Sequence, residues 1–371
     1  MSRLVKMLAK RCYGAGHPTF PLLATFITAV VYLVLWYLSS YPRPHGTQIV
    51  DASYLQLSPG NGKFLPPPYP MHKLAPSDLT TLIDLKDFTL QLNSFPCDGS
   101  SSMLLLVLVS TAPGHAEHRR TIRETWGSGF HRVLFLLGAV ESRDAQAKLE
   151  EENRTYRDIV QGSFLDSYRN MTYKHVMALK WTAYYCPGAR YLLKTDDDVF
   201  VNPPALLEFL SQDLSPRGGR RLILCENFTL KHVQRSLKSK WRVTPEEYPG
   251  NTYPPSCQGW IVLYSADVVF LLYGEAQRTK FFWIDDIHVT GTLAARAGLT
   301  HTSIREFLLS PRQVEQLVGS SKNDSGIGVI MFGSYNMSPT KIRLLWKVVE
   351  YRTSASTHAA LQEQTTQMPS H

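Results

Sequence analysis

An α/β domain behind a single N-terminal membrane-spanning helix is the architecture this sequence predicts. Three observations lead there. From about residue 103 onward, short continuous apolar runs alternate with helix-patterned segments, an alternation that builds a mostly parallel sheet with helices on both faces. An uncharged stretch near the N-terminus is long enough to cross a bilayer. A proline-rich segment separates the two.

The membrane segment comes first. Residues 1–19 form a cytosolic tail carrying Arg3, Lys6, Lys10 and Arg11. No Lys, Arg, Asp or Glu occurs between Arg11 and Arg43, and the densest apolar stretch is Phe20 to Leu38. A spanning helix needs about 20 apolar residues. The apolar region of a cleaved signal peptide is usually only about 7–15 residues and ends at small residues. This run is longer and ends in Trp36, Tyr37 and Leu38, which include aromatics of the interfacial kind. The expectation is a retained signal-anchor over 20–40. The excess of basic residues before it places the N-terminus in the cytosol and everything after about residue 41 on the lumenal side. Five Asn-X-Ser/Thr sequons, at Asn153, Asn170, Asn227, Asn323 and Asn336, fit that side. So do the cysteines. Cys12 precedes the span, whereas Cys97, Cys186, Cys225 and Cys257 follow it. In a disulfide-permissive compartment those four allow up to two bridges, with connectivity open. Their spacing is too wide for a zinc knuckle.

Residues 41–96 read as a stem. Tyr41-Pro-Arg-Pro44 and Leu65-Pro-Pro-Pro-Tyr-Pro70 favour extended backbone, because proline fixes φ and restrains its predecessor. Part of Leu79–Leu92 is expected to be ordered as a lead-in. Residues 97–350 form the lumenal domain. Met103–Ser110 is almost continuously apolar, as a strand buried on both faces would be. Arg132–Val140 is another such run, and Tyr191–Leu193 and Leu222–Leu224 are shorter ones. Helical patterns occupy His118–Trp126, Arg143–Asn153 and Tyr173–Tyr185. Residues 351–371, rich in Ser, Thr, Gln and His from Arg352 on, are expected to be disordered. With 44% hydrophobic residues the domain can bury one core. The net charge of +8 does not mark a nucleic-acid binder, since zinc-finger spacing, an RRM signature and a lysine-rich arm are all missing from the sequence. It suits a protein that handles a nucleotide diphosphate, and equally a plain solvated surface.

The strongest local signal is Lys194-Thr-Asp-Asp-Asp-Val-Phe200. Its three carboxylates follow an apolar strand, and in an open α/β sheet ligands bind at the carboxyl ends of strands. Adjacent carboxylates repel, and a hard divalent cation relieves that repulsion. Such a cation also grips a diphosphate. On residue type alone, this reading and an ordinary acidic turn stand even.

Several segments then act together. Arg119-Arg-Thr-Ile-Arg-Glu-Thr-Trp126 resembles the R-x-x-I-R-x-T-W signature of the β1,3-galactosyltransferase and β1,3-N-acetylglucosaminyltransferase family. Asp166-Ser-Tyr-Arg-Asn-Met-Thr-Tyr-Lys174 resembles its D-x-Y-x-N-L-T-x-K motif, with Met171 for Leu. Tyr191–Asn202 resembles its Y-x-x-K-x-D-D-D-x-F-x-N core. Tyr253-Pro-Pro-Ser-Cys257 followed by Gly259 resembles its Tyr-Pro segment, and Trp283-Ile-Asp285-Asp286-Ile-His-Val-Thr-Gly291 its acidic motif. These matches occur in the family's order and cover about Leu104 to Gly291.

The resemblance implies a glycosyltransferase-A fold, which is a Rossmann-like sandwich. It implies an inverting hexosyltransferase, type II in the Golgi membrane, using Mn²⁺. The donor would be UDP-Gal or UDP-GlcNAc, and the acceptor a glycan on glycoprotein or glycolipid. Asp196 and Asp198 would flank the metal, with Asp198 the direct ligand, Asp196 touching ribose or metal, and Asp197 beside them. Inversion by one displacement needs a general base for the acceptor's 3-hydroxyl. The resemblance favours Asp286, with Asp285 as the alternate. Arg123 and Lys194 are candidates for uracil or diphosphate contacts, and Gly259 for close backbone approach to the donor. Trp126 reads as core. Two departures stand out. Trp260 follows Gly259 where the family has a Gly-rich run, and Tyr335 stands where a metal-completing His is expected. They leave open a second reading, a catalytically inactive Golgi-resident relative acting as a binding or chaperone subunit.

Overall fold

The computed structural model describes residues 69–97, 103–228, 231–319 and 330–366. The expected cytosolic tail, the signal-anchor and the first part of the stem lie outside them. Among the described residues no helix is long and apolar enough to cross a membrane.

The chain runs β1 (Thr81–Leu82), β2 (Leu85–Lys86), β3 (Leu90–Leu92), β4 (Leu105–Ser110), α1 (Ala116–Glu124), β5 (Val133–Ala139), α2 (Arg143–Tyr156) and β6 (Ile159–Leu165). There follow α3 (Met171–Tyr185), β7 (Tyr191–Asp196), α4 (Pro203–Glu208), β8 (Ile223–Phe228), β9 (Lys231–His232), β10 (Thr252–Tyr253), β11 (Ser256–Ser265) and α5 (Ala266–Ala276). A π-helix (Asp286–Leu293) leads into α6 (Ala294–Arg296), then β12 (His301–Ser303), α7 (Pro311–Gly319) and α8 (Pro339–Thr366).

Eight strands form one sheet in the order β12-β8-β11-β7-β4-β5-β6-β3. β4 is buried at every position and pairs in parallel with β5 on one side and β7 on the other. Its continuous apolar run reflects coverage on both faces. The segment β6-β5-β4-β7 is all parallel. Beyond it, however, the sheet is mixed rather than mostly parallel: β11 is antiparallel to both neighbours, and β3 is antiparallel to β6. Periodicity cannot reveal this, because strand direction depends on the connection and not on the strand's own residues.

α3 is buried almost all round, from Thr172 to Ala183, and packs against α5. It has no solvent face, so its Lys174, His175 and Lys180 each require a buried partner. Trp126 is fully buried, as a core residue should be.

Both disulfides form, Cys97–Cys186 and Cys225–Cys257. The first ties the start of the domain to the end of α3. The second ties β8 to β11 two residues before Gly259.

Two boundaries differ from expectation. The stem does not extend to residue 96, because the segment from Tyr69 is packed on the domain. β3 extends the sheet, and buried Asp78 accepts the hydroxyls of Tyr184 and Tyr273, both at 2.6 Å. Lys180 donates to the Asp78 and Thr81 carbonyls. Proline content marked this segment as extended but said nothing of what the extended chain packs on. At the other end, α8 continues to Thr366 through the tail expected to be disordered. Ala355, Ala359, Ala360, Leu361, Gln362 and Glu363 are good helix formers, and adding a residue to an existing helix avoids the cost of nucleation.

Candidate active site

β4 is flanked by the next strand, β5, on one side and by the later β7 on the other. That reversal of strand order opens a crevice at the carboxyl ends of β4 and β7. Ser110 and Asp196 face each other there in register. The acidic turn therefore lies where an open α/β sheet binds ligands.

Its three carboxylates diverge. Asp197 turns toward β4, accepting from the Thr111 hydroxyl at 2.5 Å and pairing with His115 Nδ1 at 2.8 Å. Asp196 pairs with the buried Lys194 ammonium at 2.8 Å. Asp198 is surrounded by the other two acids and by backbone N–H groups, that of Asn336 included. Burial first, then the Asp196 and Asp197 charges, push its carboxyl up to about 6. Burial likewise raises Asp196, with Lys194 opposing.

Asp285 and Asp286 open the π-helix, and they share the same crevice. Lys194 Nζ reaches Asp285 at 3.9 Å while it holds Asp196, and it donates to the Gly259 carbonyl at 2.6 Å. One ammonium thus stands between the two acidic pairs. Burial works against that ammonium, but Asp196 and Asp285 outweigh it and raise its pKa. Gly259 lies close to both aspartates: a Cβ there would crowd the Asp286 Cβ at 3.2 Å and touch both Asp285 carboxylate oxygens at 3.8 Å.

The two aspartates differ in kind. Asp285 is held by His175 Nδ1 at 3.0 Å as well as by Lys194. Burial would raise its pKa, but the His175 hydrogen bond and the Lys194 charge win, and it falls to about 2. His175 is kept neutral by burial, so its Nδ1–H donates to Asp285 while Nε2 accepts from the Tyr264 hydroxyl at 3.0 Å. Asp286 has only a 3.4 Å contact to Lys231 and the Ile287 N–H at 2.8 Å. Burial and the neighbouring Asp285 charge raise its pKa. A carboxylate with raised proton affinity, beside one that stays ionised, is the arrangement a base requires.

Arg123 is not part of this cluster. It forks onto Asp158 at 2.8 and 2.9 Å, bonds Glu152 at 2.8 Å and stacks on Tyr156. Its Nε and Nη2 are taken up by these structural partners. Arg119 does reach the crevice wall, donating to the Ala112 carbonyl at 2.8 Å. Tyr335 packs against Trp260, ring centroids 5.8 Å apart, and Trp260 is 9% exposed. The segment around residue 335 reaches Asp198 through the Asn336 backbone N–H, while the Tyr335 ring lies on Trp260.

Among the described residues no three His, Cys, Asp or Glu side chains converge as a metal-holding group. The oxygen-only pair Asp196 and Asp198 nevertheless fits a cation of the Mg²⁺ or Mn²⁺ type. Such ions are held by one or two carboxylates, with substrate phosphates and water completing the set.

Sequence reading did not single out His175, Lys231, Thr111 or His115. Lys174 and Asp166 were quoted within a motif but given no role. The two pair at 2.8 Å, and Lys174 also donates to the Thr111 carbonyl at 2.7 Å, fixing the strand end beside the acids.

Residues 117–305 match the family model described as Galactosyltransferase. Beta-1,3-galactosyltransferase 1 of Mus musculus is 35% identical over 192 residues, covering 50% of this chain and 58% of that relative. The chain thus spans little more than half that relative's length. Beta-1,3-galactosyltransferase 4 of Mus musculus is 33% identical over 294 residues, covering 69% of this chain and 76% of the relative. A human acetylgalactosaminyl-O-glycosyl-glycoprotein beta-1,3-N-acetylglucosaminyltransferase is 34% identical over 273 residues, with 68% of each chain covered. The motif series, the crevice at the strand reversal and these matches agree: the chain belongs to the galactosyltransferase family.

Proposed function

We propose that the chain is an inverting β1,3-glycosyltransferase moving galactose or N-acetylglucosamine from UDP-Gal or UDP-GlcNAc to the 3-hydroxyl of a glycan on glycoprotein or glycolipid. It would act as a single-pass type II protein of the Golgi membrane, with this domain lumenal. The observation that carries the reading is Lys194 standing between Asp196 and Asp285, which brings the donor-side and acceptor-side acids into one crevice.

Asp196 and Asp198 would hold a Mn²⁺ ion. When bound, that ion supplies a positive charge for the departing diphosphate. The chain's own residues do the rest. Asp286 accepts the proton of the acceptor hydroxyl as that oxygen attacks the anomeric carbon and the bond to UDP breaks. Asp285, pinned by His175 and Lys194, stays ionised and raises the proton affinity of its neighbour. Gly259 leaves room for the reacting groups beside both aspartates. Asp197, locked to Thr111 and His115, shapes the turn.

A second reading, a binding or chaperone subunit without turnover, is favoured by Tyr335 in the expected His position and by Trp260 after Gly259. Incubating the protein with UDP-Gal or UDP-GlcNAc, Mn²⁺ and a panel of Gal-, GlcNAc- and GalNAc-terminated acceptors separates the two. The proposal expects transfer with one donor, lost on Asp198→Ala together with Mn²⁺-dependent UDP binding. No transfer to any acceptor, together with no Mn²⁺-linked UDP affinity, would favour the second reading.

A further inference from the structure

Two large aromatic side chains stand exposed beside the acceptor-side acids, and no step above uses them. Tyr168 is 54% and Trp241 48% exposed. They are not independent: Trp241 Nε1 donates to the Tyr168 hydroxyl at 2.8 Å, so the two rings form one fixed surface. That surface adjoins the site. Tyr168 packs 6.1 Å from Trp283, two residues before Asp285. Burial, with the Asp285, Asp286 and Asp196 charges adding, raises the Tyr168 phenol pKa against the Trp241 hydrogen bond. Asp286 contacts Lys231, which opens the segment carrying Trp241.

The same segment is basic. Residues 231–242 hold Lys231, His232, Arg235, Lys238, Lys240 and Arg242 and no acid. Arg235 is committed to the carbonyls of Val243, Tyr248 and Gly250, whereas Lys238, Lys240 and Arg242 are exposed. Lys240 Nζ lies 4.4 Å from the Trp241 ring centroid and 5.9 Å from that of Tyr168. Flat aromatic faces suit the apolar face of a pyranose ring, and their polar edges suit its hydroxyls. A cationic rim selects for negative charge.

We propose that Tyr168 and Trp241 form an acceptor subsite that stacks a sugar ring next to the reacting hydroxyl, and that Lys240 and its basic neighbours favour acceptors bearing a sulfate or carboxylate. The inference rests on the transferase reading for what the bound glycan is used for, but its test reads binding alone.

The full-length protein in detergent is titrated with N-acetyllactosamine and with its galactose-sulfated form, and separately with UDP plus Mn²⁺. The sulfated glycan should bind about twofold to fivefold tighter at low salt, and the preference should fade as ionic strength rises. Trp241→Ala should weaken both glycans about tenfold or more, with UDP binding unchanged. Lys240→Gln should remove the preference and leave the neutral glycan's affinity intact. The proposal is overturned if wild-type protein binds neither glycan, if it binds both equally at low salt, or if Trp241→Ala leaves both affinities unchanged. Loss of UDP binding alone, with the glycan pattern intact, would instead sink the transferase reading.

Discussion

Asp285 and Asp286 are neighbours in sequence and opposites in chemistry, and the difference comes from residues far along the chain. Asp285 is held by His175, 110 positions away, and Asp286 touches Lys231, 55 positions away. The neutral imidazole of His175 bridges Asp285 and the Tyr264 phenol. Removing it orphans a buried hydroxyl and strips one tether from a buried carboxylate. His175→Ala should therefore lower unfolding stability by about 1–3 kcal/mol, read by urea titration, and raise the Asp285 pKa above its present value of about 2. Unchanged stability would mean that the bridge contributes nothing. At this scale the sequence motifs revealed the acids but not what tunes them. Arg123 shows the same limit. Its basic helix face was visible, while its partners Glu152 and Asp158 lie on elements that only the fold brings near.

At the scale of elements, the two disulfides act at different places: Cys225–Cys257 joins β8 to β11 close to Gly259, and Cys97–Cys186 joins the start of the domain to the end of α3. Cys97–Cys186 closes a loop with a sequence separation of 89, against 32 for Cys225–Cys257. In the chain-entropy view each restrains the unfolded chain, and loss of such a bridge typically costs about 2–5 kcal/mol. The Cys97→Ser, Cys186→Ser pair should lower stability within that range without changing UDP affinity in the protein that remains folded. The Cys225→Ser, Cys257→Ser pair should also weaken UDP binding, because Cys257 lies two residues before Gly259. Thermal unfolding and calorimetry separate the two effects. Equal loss of UDP affinity in both pairs would contradict the assignment. Strands β4, β5, β7 and β8 were legible because burial on both faces leaves an unbroken apolar run. β6 was hidden by Gln161, Gly162 and Ser163 within it. β11 was not marked as a strand because Cys257-Gln-Gly-Trp260 interrupts its apolar run, and the register shift between Cys257 and Val262 is the trace of that irregularity.

For the whole molecule, stability against pH has competing contributions. Burial is the main cause that lowers the His288 pKa to about 4. Its folded-state pKa lies below the unfolded value of about 6.5, so the unfolded chain takes up the extra proton between those limits. Its contribution is complete above about pH 6.5 and is lost as pH falls toward 4. Asp198, raised to about 6, acts with the opposite sign. Comparison with His288→Leu isolates the histidine: wild-type stability relative to the variant should fall by about 3 kcal/mol between pH 7 and pH 4, measured by denaturant unfolding at each pH. A flat difference would mean that His288 is not held neutral. The proposed transfer depends on a division of labour across one crevice, with Asp196 and Asp198 serving the donor and Asp286 the acceptor. Paired measurement of UDP affinity and transfer rate in Asp286→Asn tests this most directly. UDP affinity in the presence of Mn²⁺ should stay within about twofold of wild type, while transfer falls by about 10²–10⁴. Retained transfer, or loss of UDP binding in step with transfer, would contradict it.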